Sequence, residues 1–111
     1  MSEKSFATSL SCMDGRVQLP MINLIKEKYS VDFVDTITAP GIDKVIFNGD
    51  IESIKKSVII SVSNHKSSHI VISGHFGCAG NPVSDEEHFT HIKKSVEIVT
   101  SWNLGVDVIG V

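Results

Sequence analysis

His69-Ile70-Val71-Ile72-Ser73-Gly74-His75-Phe76-Gly77-Cys78-Ala79-Gly80 is the stretch from which the fold can be read. Residues 69 to 73 are mostly apolar and β-branched without polar alternation, the pattern of a strand covered on both faces. A glycine-rich turn follows at once, with a histidine and a cysteine inside it. The same kind of transition occurs earlier, where Phe6 to Ser11 runs into Cys12-Met13-Asp14-Gly15-Arg16. Phe33 to Thr38 and Val106 to Val111 complete a set of four expected strands. The last, β-branched and nearly continuously apolar, reads as buried on both faces like the third.

Helical patterns separate the strands. After Pro20, the residues Met21, Ile22, Ile25 and Tyr29 form an apolar stripe with Lys26, Glu27 and Lys28 mostly outside it. From Asp50 onward, Ile51, Ile54, Val58 and Val62 recur at spacings of three and four. Ser84-Asp85-Glu86-Glu87 is a capping box, and Phe89, Ile92, Val96 and Val99 are the expected buried face of the helix it opens. Asn103-Leu104-Gly105 then offers a stop. Residues 39 to 49 read as a loop. Strands alternating with helices imply an α/β fold, a single domain over residues 1–111 with a four-stranded parallel sheet and helices on both faces. Right-handed crossovers limit the arrangements, and the first choice among them is the strand order 2-1-3-4, in which the chain reverses its winding between strands 1 and 3. Ligands bind beyond the carboxyl ends of strands at such a reversal.

The 111 residues carry 10 Lys+Arg against 13 Asp+Glu, a formal net charge of -3. That balance argues against nucleic-acid binding, which needs a basic face to displace phosphate counterions. No apolar run approaches the roughly 20 residues that span a bilayer. Met1-Ser2-Glu3-Lys4-Ser5 leads into no long apolar segment, so a secretory signal is not expected. With only two cysteines, the expected setting is cytoplasmic, with reduced thiols rather than a disulfide scaffold.

Both cysteines fall where the chemistry should concentrate. Residues two apart in an extended segment face the same side, so Cys12, Asp14 and Arg16 can present a thiol, a carboxylate and a guanidinium together. Flanking glycines permit the turn that would bring His75 and Cys78 together. Cys12, His75 and Cys78 converging from adjacent strand ends make a three-ligand zinc site with an open fourth position, the catalytic type. Asp14 either closes that site as fourth ligand or accepts a hydrogen bond from a zinc-bound water, and Arg16 suits the holding of Asp14. Each residue also has a plainer reading: a buried structural thiol, or an ion pair at a strand end. A phosphatase loop is a poorer fit, because the Gly-rich anion cradle between Cys12 and Arg16 is missing, and no redox Cys-x-x-Cys pair exists.

Cys12-x-Asp14-x-Arg16 followed some sixty residues later by His75-x-x-Cys78 resembles the zinc signature of the β-class carbonic anhydrases. The resemblance extends to the order of elements over nearly the whole chain and marks a minimal or divergent member. By position it implies Cys12, His75 and Cys78 as zinc ligands and Asp14-Arg16 as the catalytic dyad. It also implies the 2-1-3-4 parallel sheet and a homodimer or higher homo-oligomer. Three departures stand out. Ala79 precedes Gly80 where the family has Gly directly after the second Cys. Thr38-Ala39-Pro40-Gly41 replaces an Arg-Asn-Ala-Gly segment. Glu3 stands where plant-type members carry a substrate-contacting Gln.

The expected activity is zinc-dependent, reversible hydration of carbon dioxide to bicarbonate by a zinc-bound hydroxide. Carbonyl sulfide or carbon disulfide is the alternative substrate, and a non-catalytic zinc-stabilised binding or assembly module is the competing class. His88 and His91 share a helix face and read either as surface histidines or as a proton relay. His65 and His69 lie at the end of the third strand away from the crevice and read as structural. Trp102 reads as core or interface.

Overall fold

The computed structural model describes residues 4–111, so the start of the chain, Glu3 included, lies outside the described residues. The elements run β1 (Phe6–Cys12), α1 (Gly15–Tyr29), β2 (Phe33–Ala39), α2 (Ile42–Phe47), α3 (Glu52–Asn64), β3 (His69–Ile72), α4 (Asp85–Thr100) and β4 (Asp107–Gly110). The strands form one sheet in the order β2-β1-β3-β4, every pair parallel. This is the α/β architecture and the strand order expected from the sequence.

Register explains how the two layers are built, because paired residues of parallel strands face the same side. Thr8 pairs with Ile70 and Leu10 with Ile72. Leu10, Ile70 and Ile72 join Ile42 and Ile46 of α2, Ile54 and Val58 of α3 and Val99 of α4 in the larger core cluster. On the opposite face Ala7 and Val71 meet Ile25 of α1 and Val31 in the smaller cluster. The small side chains Ala7, Ser9 and Ser11 face α1, which lets that helix lie close to β1. Beneath α3, the Thr8 hydroxyl contacts those of Ser61 at 2.6 Å and Ser67 at 2.7 Å, so a buried polar residue keeps its hydrogen bonds.

Four sequence expectations need correction. The first helix begins at Gly15 rather than after Pro20, because Asp14 caps it and Pro20 sits inside the helix at the cost of one backbone bond. The 39–49 segment is not a plain loop, since six of its residues form α2. Its buried positions, Ile42, Asp43 and Ile46, include a carboxylate that hid the apolar pattern. In α4 the buried face is His88, Ile92, Ser95 and Val99, while Phe89 is 67% exposed. His88 takes the inward place because a buried acid awaits it. Finally, β4 is an edge strand whose residues are exposed or half-buried, not covered on both faces.

The other expected structural residues have identifiable partners. His65 stacks on Phe6 with ring centroids 4.4 Å apart and donates from Nδ1 to Asp35 at 2.7 Å. His69 stacks on Tyr29 at 3.9 Å. Trp102 packs against the larger core with the Lys55 ammonium over its ring. Among the described residues no helix is long and apolar enough to cross a membrane.

Candidate metal centre

β1 and β3 are neighbours at the centre of the sheet, and each hands its chain to the site at its carboxyl end. Cys12 is the last residue of β1 and is buried. His75 and Cys78 follow β3 by only a few residues, on the turn that begins at Gly74. One ligand atom from each of Cys12, His75 and Cys78 lies within 4.8 Å of the others. The two sulfurs are 3.7 Å apart.

The imidazole has a defined orientation. His75 Nδ1 is 2.9 Å from the carbonyl oxygen of Phe76, which can only accept, so Nδ1 carries the proton. Nε2 is left with a lone pair, is buried, and has no hydrogen-bond partner. A partnerless imidazole nitrogen beside two thiols is the donor set that zinc prefers, and a carbonyl on the far ring nitrogen is the usual way such a histidine is held. The residues present therefore fit a zinc ion.

Burial alone would raise both thiols above their ordinary value. At Cys12 the backbone N–H groups of Gly41 and Asp14, helped by the neighbouring Cys78 thiol, outweigh burial and bring the thiol below that value. At Cys78 the neighbouring Cys12 sulfur adds to burial, and the thiol is pushed up. The Gly41 N–H lies 3.5 Å from Cys12 Sγ.

Asp14 is adjacent but differently engaged. Its Oδ1 accepts the Arg16 backbone N–H at 2.9 Å and the Arg16 Nε–H at 3.0 Å, and its Oδ2 accepts from Nε and Nη2. The Arg16 side chain and then its backbone N–H hold the carboxyl well below the usual carboxylate range. Asp14 raises Arg16 in return. Asp14 contributes no atom to the cluster of ligand atoms formed by Cys12, His75 and Cys78.

Sequence reasoning missed the residues that support these. Gln18, one helical turn after Asp14, donates from Nε2 to the Cys12 carbonyl at 2.6 Å. The spacing of four was visible, but the acceptor was not. Gly80 passes so close to residues 40 and 41 that a Cβ there would lie 2.6 Å from the Pro40 carbonyl carbon. The glycine displaced by Ala79 is thus where the ligand turn crosses the segment entering α2. Of the histidines read as a relay, His91 is half-buried beside Phe47. His88 is 4% exposed and bound to Asp43, so it is not a surface residue.

A cavity of about 230 Å³ opens beside His75, with Phe76, Phe89, Ile92 and Val111 in its lining. A larger concavity, about 480 Å³, lies along Gly49 to Ile59 and holds none of the candidate residues. A family model described as "putative carbonic anhydrase" matches residues 2–111. Neither a curated protein nor a solved structure matches the chain.

Proposed function

Because the chain belongs to the family described as "putative carbonic anhydrase", we propose that it catalyses zinc-dependent, reversible hydration of carbon dioxide to bicarbonate. Cys12, His75 and Cys78 are the zinc ligands of this reading, and Asp14 and Arg16 are its catalytic pair. The observation that carries it is the convergence of two sulfurs and a partnerless ring nitrogen on one point. Bound there, zinc would supply hydroxide from water near neutral pH.

The chain's own residues do the rest. The Phe76 carbonyl holds the His75 ring by Nδ1, which leaves the lone pair of Nε2 free to bind the metal. Asp14 would accept the hydrogen bond of the attacking hydroxide and aim its lone pair at the carbon. Arg16 keeps that carboxylate ionised and occupied, so it does not become a fourth ligand. The same reading includes a cytoplasmic dimer or multiple of dimers.

The test is zinc content of the purified protein together with stopped-flow carbon dioxide hydration, with Cys78→Ser as control. We expect stoichiometric zinc, hydration that rises with pH, and loss of both in the variant. A folded protein made with ample zinc that contains none, or a rate flat from mildly acidic to alkaline pH, overturns the proposal. Parallel assays with carbonyl sulfide and carbon disulfide separate the related substrates. Zinc without any turnover, and a carboxylate on the metal by X-ray absorption, would support a structural module instead.

A further inference from the structure

Asp43 is a carboxylate in the core, 1% exposed and on the short helix α2. Its Oδ2 accepts from Nδ1 of His88 at 2.6 Å and from Nδ2 of Asn81 at 3.2 Å. Asn81 is fully buried, and its amide also meets His91 Nδ1 at 2.9 Å. His88 Nε2 is buried without a partner, which assigns the proton to Nδ1 and makes His88 the donor. A buried acid with an orphaned ring nitrogen is a costly way to join two helices, since apolar residues of similar volume would do it as well or better. What the trio adds is direction.

That direction points at the ligand turn. A Cβ on Gly74 would sit 2.8 Å from Asp43 Oδ2 and 3.1 Å from His88 Nδ1, so the backbone leaving β3 rests directly on the pair. At the other end of the turn, Asn81 is hydrogen-bonded to the same oxygen. His75 and Cys78 lie between those two anchor points. The third candidate ligand is tied to the same helix, because Gly41, which caps α2, directs its N–H at Cys12 Sγ. One oxygen atom therefore underlies both ends of the segment carrying two of the three candidate ligands.

We propose that Asp43, clamped by His88 and Asn81, is a positioning residue that fixes the Gly74–Asn81 turn so that His75 and Cys78 meet Cys12 at metal-binding distance; the inference rests on the zinc reading above. Its measure is zinc affinity, by competition with a chromophoric chelator, and the ligand-field absorption of the cobalt(II)-loaded protein. Asp43→Ala should weaken zinc binding by about tenfold or more and alter the cobalt spectrum. Asp43→Asn keeps an acceptor for His88, and His88→Asn keeps a donor for Asp43, so each should lose less. Ser95→Ala is the control: it deletes a buried hydrogen bond to the backbone carbonyl of the same Asp43. It should lower the unfolding midpoint of the metal-free protein while leaving zinc affinity and the cobalt spectrum unchanged. Should Asp43→Ala not fold, the Asn variants give the answer. The inference is overturned if the Asp43 and His88 variants unfold earlier yet bind zinc as tightly as the wild type. A wild-type chain that takes up no zinc overturns the functional reading itself, and the wild-type arm makes that outcome separately visible.

Discussion

Arg16 grips the Asp14 carboxylate with its guanidinium while its own backbone N–H takes the N-cap bond, so Asp14 starts α1 two residues after the candidate ligand Cys12. The fold favours the ionised acid. The stability this contributes is present above the ordinary carboxylate value of 3.8 and is lost as pH falls through the depressed value of the folded chain. Arg16→Leu should therefore move the Asp14 titration, followed by carboxyl-carbon NMR, upward toward 3.8; an unmoved midpoint would mean the backbone bond alone sets it. Asp14→Asn should lower kcat for hydration on the order of 10²-fold with zinc content unchanged. These residues were legible in sequence because strand ends with unusual chemistry stand out against an apolar background. Gln18, Gly41 and Asp43 were not, because each acts on a backbone or sulfur that only the folded chain brings alongside.

The helices show what periodicity can and cannot deliver. The stripes of α1 and α3 were readable since most of their inward positions, Ile25, Ile54 and Val58, are apolar, with Ser61 the polar exception. In α4 the inward face is half polar, so the apolar Phe89 drew the reading one residue out of phase. Urea unfolding can settle the phase. Ile92→Ala should cost about 2–5 kcal/mol, whereas Phe89→Ala should stay within about 0.5 kcal/mol. Equal losses at the two positions would contradict the helix rotation seen here. Helix α2 was missed for the same reason: Asp43 interrupts a short apolar pattern, and its justification comes from His88 on another element.

Across the whole molecule, alternation made the parallel α/β sheet legible and crossover handedness limited the strand orders, while the choice of 2-1-3-4 among them leaned on the winding reversal and on the family resemblance. Edge exposure of β4 was not legible, because it depends on what packs outside the sheet. Zinc should couple the site to this entire framework. With metal at about a hundredfold over its dissociation constant, linkage adds about 2.7 kcal/mol, which in a chain this size raises Tm by about 10 °C or more. Differential scanning calorimetry with and without chelator checks this, and a Tm indifferent to zinc would rule the coupling out. The ligands also sit far apart along the chain although β1 and β3 are paired in space. During synthesis, then, Cys12 leaves the ribosome as a solitary thiol and waits for more than half of the polypeptide to follow. On the zinc reading, metal would load only after β1 and β3 have paired, and until then the Cys12 thiol would stand without its partners.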